Sequence, residues 1–310
     1  MKKFAFVFPG QGSQAVGMMQ AFADSAPVKA VFAEAAEVLN QDLWALVAEG
    51  PAEALNATVN TQPVMLTAGY AVYRAWLDAG GAQPAILAGH SLGEYTALVA
   101  AGAIAFSDAL PLVRFRAQAM QEAVPMGSGA MAAILGLDDD AVRAICTQSA
   151  GIEVVEAVNF NAPSQVVIAG HRDAVERAAA AAKAAGAKRA VMLPVSAPFH
   201  SSLLTPAAQR LAEYMREVPF REPRIPVVNN VDVAIASQPE SIREALARQA
   251  CNPVRWVEVV RALATAGATD IAECGPGRVL AGLTRRIDPV LKGHAVVDPK
   301  SLGQTLEALK

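Results

Sequence analysis

Cysteine is scarce in this chain. The 310 residues include three, Cys146, Cys251 and Cys274, with no C-x-x-C pair or other ligand spacing. An odd, widely spaced set speaks against a disulfide framework and against a cysteine-built metal site, leaving small core-filling thiols. Positive charge is not in excess either. Lys and Arg number 26 against 29 Asp and Glu, a formal net charge of −3, so nucleic-acid binding is not expected. Long hydrophobic runs are also missing. The charge-free stretch between Glu53 and Arg74 contains Asn56, Asn60, Gln62 and Pro63, and the apolar stretch between Glu94 and Asp108 has the length of a buried helix. The start, Met1-Lys2-Lys3 followed by Phe4–Phe8, imitates a signal peptide, but its apolar run is too short for one. No repeat period or low-complexity tail occurs. A soluble, cytoplasmic protein with no membrane association is expected.

What is present is apolar content. Hydrophobic residues make up 53% and charged residues 18%, which excludes a disordered chain. The length suits about two units, or one large α/β domain carrying an insert. The first third alternates strand and helix patterns: strand 4–8, helices near 28–39 and 63–79, strand 85–89, helix from 91. That rhythm predicts parallel strands with crossover helices. Residues 125–196 differ. Strands at 129–135, 153–159, 165–169 and 189–195 interleave with helices at 138–149 and 172–185. The order βαββαβ is that of a ferredoxin-like unit, bounded by Pro125-Met126-Gly127 and by Pro194 to Pro198. The α/β rhythm then resumes, with strands at 227–231 and 270–272 and helices at 239–250 and 253–265. The expected organisation is a core of 1–124 and 197–310 with a small inserted subdomain, 125–196.

After the first strand comes Pro9-Gly10-Gln11-Gly12-Ser13-Gln14-Ala15. It matches a G-x-G-x-x-A dinucleotide fingerprint, but the second strand ending in an acid is missing, and no Gly-Lys-Ser/Thr follows. A turn where backbone amides approach a ligand fits better, beside the plainer reading of a tight turn alone.

The strand 85–88 leads into Gly89-His90-Ser91-Leu92-Gly93 and then a helical run. This is G-x-S-x-G in the strand–turn–helix setting of a nucleophile elbow. Ser91 stands at a helix N-terminus, where free amides and the dipole favour a developing oxyanion. His90 adjoins the nucleophile on the tight turn and is unsuited as its base. Of the other histidines, His171 and His294 lie in ordinary settings, whereas His200 sits in a turn where the chain leaves the insert. It is a candidate base, with a satisfied structural histidine as the alternative. Ser107 is a candidate cap for a helix running to Met120. On it Arg116 falls within the apolar stripe of Ala109, Leu112, Val113 and Met120, while Arg114 points away. A buried guanidinium needs a partner, which is either an internal acid or a substrate carboxylate.

Together these residues resemble the malonyl-CoA:acyl-carrier-protein transacylases of fatty acid synthesis, within the acyltransferase-domain family. The resemblance spans essentially the whole chain. It rests on Phe8-Pro9-Gly10-Gln11-Gly12-Ser13-Gln14, Asn60-Thr61-Gln62-Pro63, Gly89-His90-Ser91-Leu92-Gly93-Glu94-Tyr95 and Val113-Arg114-Phe115-Arg116. Further marks are Val158-Asn159-Phe160-Asn161-Ala162-Pro163, Phe199-His200-Ser201, Gln249 with Asn252-Pro253-Val254-Arg255-Trp256, and Glu273-Cys274-Gly275-Pro276-Gly277.

The resemblance implies an α/β-hydrolase-like parallel-sheet core with a ferredoxin-like insert. It implies Ser91 as nucleophile, His200 as base, the amides of Gln11 and Leu92 as oxyanion hole, Arg116 as binder of the malonyl carboxylate and Gln62 beside it. The Gln249 main-chain carbonyl would orient His200, and Phe199 before the base accompanies malonyl rather than methylmalonyl use. Malonyl-CoA is the implied donor and the phosphopantetheine thiol of acyl carrier protein the acceptor, with no bound cofactor, no metal and a monomeric chain. Lys183, Lys188 and Arg189, or Arg285 and Arg286, are candidates to meet an acidic carrier. A serine esterase or thioesterase, a non-catalytic docking module and a polyketide-dedicated acyltransferase are the rival readings.

Overall fold

The computed structural model describes residues 2–195 and 197–310. Met1 and Ser196, the residue at which the inserted unit was expected to end, lie outside the described residues.

The first strand, β1 (Phe4–Phe8), reads FAFVF and is buried throughout. Such a continuous apolar run is what a parallel strand covered on both faces requires. Phe4, Phe6 and Phe8 face one core with the helix Thr58–Asp78, and Ala5 and Val7 face a second core with Trp256, Val259 and Leu263. β1 is the middle of a five-stranded sheet. The other strands are β2 (Ile86–Gly89), β7 (Val227–Val228), β8 (Asp270–Cys274) and β9 (Lys292–Val296), in the order β7-β2-β1-β8-β9. Every pair is parallel. The register Phe8↔Gly89 puts the loops leaving β1 and β2 side by side at the carboxyl edge, where open α/β sheets bind ligands.

A second, antiparallel sheet comprises β3 (Gly129–Leu135), β4 (Val155–Ala162), β5 (Gln165–His171) and β6 (Arg189–Met192), in the order β4-β5-β3-β6. The helices Asp139–Ala150 and Arg172–Ala184 cover one face and close a core of Ala130, Ile134, Val142 and Ile168. The first of them is capped by Asp138, which accepts from the Ala141 amide. The opposite face turns Met131 and Val167 toward the main body.

The helices and strands differ from the sequence pattern where tertiary contacts override local signals. The sequence pattern predicts a helix near 63–79. The helix begins instead at Thr58 and keeps Pro63 inside, its first turn held by Thr61 Oγ1 donating to the Leu55 carbonyl at 2.6 Å. The helix Phe106–Glu122 is capped at Ala105, and Ser107 lies within it. β6 stops at Met192, short of Val195, and β7 is only Val227–Val228. β9 went unread because Lys292-Gly293-His294 is the polar pattern of an edge strand. Among the described residues no helix is long and apolar enough to cross a membrane.

Candidate active site

The loop between β2 and the helix Gly93–Ala100 is built around two glycines. A Cβ on Gly89 would stand 1.9 Å from Gly93 backbone atoms, and one on Gly93 would stand 2.0 Å from the Phe8 carbonyl oxygen. Between them Ser91 adopts φ 51°, a left-handed conformation costly for a residue with a side chain. Asn230, just beyond β7, holds this strained turn. Its Oδ1 accepts from the Ser91 amide at 2.7 Å and its Nδ2 donates to the Gly89 carbonyl at 2.7 Å.

Ser91 Oγ lies 2.7 Å from His200 Nε2, although the two are 109 residues apart in sequence. The other ring nitrogen, Nδ1, is 2.8 Å from the main-chain carbonyl of Gln249. A carbonyl only accepts, so Nδ1 carries the proton and Nε2 is left to accept from the serine hydroxyl. Gln249 is the last residue of the helix Pro239–Gln249, so its carbonyl belongs to the set with no partner inside the helix. It also stands at the negative end of the helix dipole, which favours an imidazolium. His200 itself has φ 66°, a second strained residue at the site. Burial, followed by the nearby Arg116 charge, pushes the His200 pKa down to about 3. The free base therefore prevails at neutral pH.

Arg116 enters from the helix Phe106–Glu122 and is 2% exposed. Its Nη1 donates to Gln62 Oε1 at 2.8 Å, and its Nη2 to Gln249 Oε1 at 3.0 Å and to Ser91 Oγ at 3.2 Å. The guanidinium also lies over the Tyr95 ring, 5.3 Å from its centroid. Among the described residues no carboxylate is within ion-pair distance of it. Its partners are neutral amides, a hydroxyl and an aromatic face. Arg114 lies on another side of the helix and bonds the Leu39 carbonyl and Gln41.

The Gly-rich turn after β1 closes on the elbow. A Cβ on Gly10 would approach the His90 carbonyl oxygen to 2.5 Å, so glycine is required there for the two loops to meet. Among the described residues neither the Gln11 nor the Leu92 amide donates a hydrogen bond within the chain, and both residues line the same cavity as Ser91. This cavity has a volume of about 180 Å³. Gln62, His90, Arg116, Asn159, Asn161 and His200 line it on its polar side, and Met131, Val167, Leu193, Val195 and Phe199 form its apolar wall. The cavity thus lies between the two sheets.

Of the remaining histidines, His90 lines the same cavity but faces Asn161 rather than the Ser91 hydroxyl, and His171 and His294 have other partners. His90 Nε2 is 2.8 Å from Asn161 Oδ1, and its ring packs against Trp256. His171 Nδ1 accepts from the Val154 amide, and His294 Nε2 lies 2.8 Å from Asp270 Oδ1. Cys146 and Cys274 are buried, with thiol pKa values raised by burial. Among the described residues no cluster of side chains is placed to hold a metal ion.

Two participants went unread in the sequence. Asn230 gave no signal beyond an Asn-Asn pair after two valines. Glu94 belongs to a motif but drew no role. It is buried, and its Oε2 accepts from the Asn230 amide and from Gln249 Nε2, each at 2.9 Å.

Comparison with known proteins gives a consistent result. The model of a family described as "Acyl transferase domain" matches residues 5–285. The malonyl CoA-acyl carrier protein transacylase of Escherichia coli strain K12 is 55% identical over 308 residues, covering 99% of this chain and 100% of that protein. The Bacillus subtilis strain 168 protein of that name is 44% identical, covering 100% of this chain and 98% of its own length. The crystal structure of an acyl-carrier-protein S-malonyltransferase from Burkholderia pseudomallei superposes with a TM-score of 0.97 at 65% identity, covering 99% of this chain and 100% of that one. A malonyl-transacylase in complex with its type II polyketide synthase acyl-carrier protein superposes with a TM-score of 0.97 at 52% identity, covering 99% of this chain and 100% of that chain.

Proposed function

The chain belongs to the acyl transferase domain family, and from that premise we propose that it moves malonyl groups from malonyl-CoA to the phosphopantetheine thiol of acyl carrier protein, for fatty acid synthesis. The observation that carries this reading is the convergence of His200 Nε2 and Arg116 Nη2 on one serine oxygen, at 2.7 and 3.2 Å. A base alone would suit any acyl transfer. A base beside a buried cation lacking a carboxylate partner suits an acyl group that brings its own carboxylate.

The reaction is ping-pong. His200 takes the Ser91 proton as Oγ attacks the thioester carbonyl. The oxyanion forms between the amides of Gln11 and Leu92, each worth about 3 kcal/mol in such sites. Meanwhile the Gln249 carbonyl and its helix end stabilise the imidazolium. CoA departs with the proton returned by His200, leaving malonyl-Ser91. The malonyl carboxylate rests on Arg116, with Gln62 alongside, and offsets the charge that depresses His200. The carrier thiol then repeats the chemistry in reverse. Water must compete poorly with the carrier thiol for the reaction to be a transfer, and the apolar side chains of Met131, Val167, Leu193, Val195 and Phe199 favour that. An acetyl group would leave the guanidinium buried without a carboxylate in direct contact, which disfavours it. Phe199 narrows the pocket toward malonyl rather than a branched homologue.

The donor and the carrier's arm are substrates, and the chemistry calls for no resident cofactor or metal. We assign residues 1–124 and 197–310 to the catalytic core and 125–196 to the smaller subdomain, and take the enzyme to act as a monomer in the cytoplasm. The carrier is expected to approach one of two exposed basic groups, Lys183 with Lys188 and Arg189, or Arg285 with Arg286. Incubation with malonyl-CoA and holo acyl carrier protein tests the reading. Malonyl-carrier must form catalytically, whereas free malonate released at the same rate without carrier identifies a thioesterase.

A further inference from the structure

A buried guanidinium requires a neutralising anion, and the one nearest in this network is Glu94. The two do not touch. Between them stands the side-chain amide of Gln249, whose Nε2 donates to Glu94 Oε2 at 2.9 Å and whose Oε1 accepts from Arg116 Nη2 at 3.0 Å. The polarity of this relay is fixed. An ionised carboxylate only accepts and a guanidinium only donates, so the amide has one permitted orientation. The same Nε2 donates to the Ser91 carbonyl at 3.0 Å, which ties the relay to the elbow. The counter-ion of Arg116 is thus set back by one amide, and the guanidinium keeps an edge directed at Ser91 Oγ.

This arrangement has two consequences for an acyl group carrying a carboxylate. A direct Glu94–Arg116 ion pair would occupy the guanidinium, whereas the set-back pair leaves it open. The negative charge on Glu94 nevertheless opposes a second carboxylate brought to the same cation. Resting on the malonyl-transfer reading above, we propose that Glu94 is a positioning residue that keeps Arg116 open to the malonyl carboxylate while limiting how tightly malonyl-Ser91 is held. A transferase needs both. An oxygen ester gives up its acyl group less readily than a thioester, so an over-stabilised malonyl-serine would trap the enzyme before the carrier thiol could take the group.

The charge on Glu94 is adjustable near neutrality. Burial raises its carboxyl to about 7, against the opposing influence of Gln249, the Asn230 amide and Arg116. The charged and titratable groups around it are Tyr95 on its own helix, Arg116 on the helix Phe106–Glu122 and Asp232 beyond β7. Asp232 is itself paired with Arg248. On the far side of Gln249 lies His200, uncharged at neutral pH. A second carboxylate on Arg116 favours the protonated form of Glu94, so loading draws in a proton. The covalent step is Ser91 Oγ–H plus malonyl-S-CoA giving malonyl-O-Ser91 plus CoA-SH, with that proton taken up separately from solvent by Glu94.

The measurement is the loading equilibrium of full-length wild type and Glu94→Gln, with malonyl-CoA and with acetyl-CoA, at pH 6 and pH 8.5. The substituted amide retains an acceptor oxygen for both hydrogen bonds and removes the charge. The malonyl loading constant of Glu94→Gln divided by that of wild type is expected near one at pH 6 and about tenfold at pH 8.5, as for charges about 10 Å apart at an effective dielectric of about 20. The acetyl ratio stays near one at both. Wild type alone gives a second readout, because its malonyl-to-acetyl loading ratio must fall about tenfold over the same interval. A flat ratio, or equal shifts for the two acyl groups, overturns the proposal. Absence of any serine acylation in wild type would instead overturn the malonyl-transfer reading itself.

Discussion

His200 Nδ1 donates to the main-chain carbonyl of Gln249 at 2.8 Å, in the place where many serine enzymes set an acidic side chain. A carbonyl at a helix end is held by the backbone, so substitution of the Gln249 side chain leaves it in place. His200→Ala is therefore expected to lower acyl-transfer kcat by about 10³-fold. Gln249→Ala should lower it far less while weakening selection of malonyl over acetyl, because Arg116 loses one acceptor. Steady-state kinetics with both donors separate the two effects.

Among the described residues Arg116 has no direct ion-pair partner to lose, so its removal is expected to act chiefly on the substrate. Arg116→Ala should lower kcat/KM for malonyl-CoA by about 10²-fold or more, the scale of a buried charge contact. Its relative use of acetyl-CoA should rise. Competition between the two donors, read by mass of the acyl-carrier product, gives the ratio directly.

Asn230 is used for the polarity of its amide. Its oxygen faces the Ser91 amide and its nitrogen faces the Gly89 carbonyl. Asn230→Asp keeps the shape and the acceptor but loses the donor, setting a carboxylate oxygen against the carbonyl. An unsatisfied buried group of this kind costs about 1–3 kcal/mol. Thermal unfolding should show that loss, and kcat should fall about tenfold as the strained serine relaxes.

Two kinds of group make opposite demands on pH. His200, depressed to about 3, stays neutral well below its usual range, so the acid limb of kcat/KM for malonyl-CoA should lie below pH 5 rather than near 6.5. Glu273 is buried, which raises its carboxyl to about 7 against the influence of the Ala281, Leu280 and Val279 amides, and its Oε2 accepts from the Ala281 amide at 2.9 Å. A carboxyl raised in the folded state stabilises below its unfolded value and loses that contribution as pH rises through the folded one. Glu273→Gln cannot ionise. The melting temperature of Glu273→Gln minus that of wild type should therefore grow from pH 5 to pH 8.5.

The parts of this molecule legible in the sequence are those whose signal is local. β1 announced itself as a fully apolar run, and the elbow as glycines around a serine between strand and helix. The βαββαβ order of the second sheet was readable because its turns and helix caps, such as Asp138, are short-range features. Arg116 stood out by helical periodicity alone. What sequence did not carry is polarity across long distances. His200 and Ser91 meet over 109 residues, and before the family resemblance only its place in the turn leaving the insert favoured His200 as the base over a structural histidine. Asn230 and Glu94 act through hydrogen-bond directions that exist only once β7, the elbow helix and the helix Pro239–Gln249 have packed together. Edge strand β9 was hidden because an edge carries polar residues as a parallel interior strand does not.

The central claim is that Ser91 carries the malonyl group in covalent form. Intact mass after exposure to malonyl-CoA, for wild type and Ser91→Ala, tests it most directly. Wild type should gain one malonyl group that maps to Ser91 and is discharged by holo acyl carrier protein, while Ser91→Ala gains nothing. A folded wild-type protein that acquires no adduct while releasing no CoA, or an adduct that persists in Ser91→Ala, would contradict it.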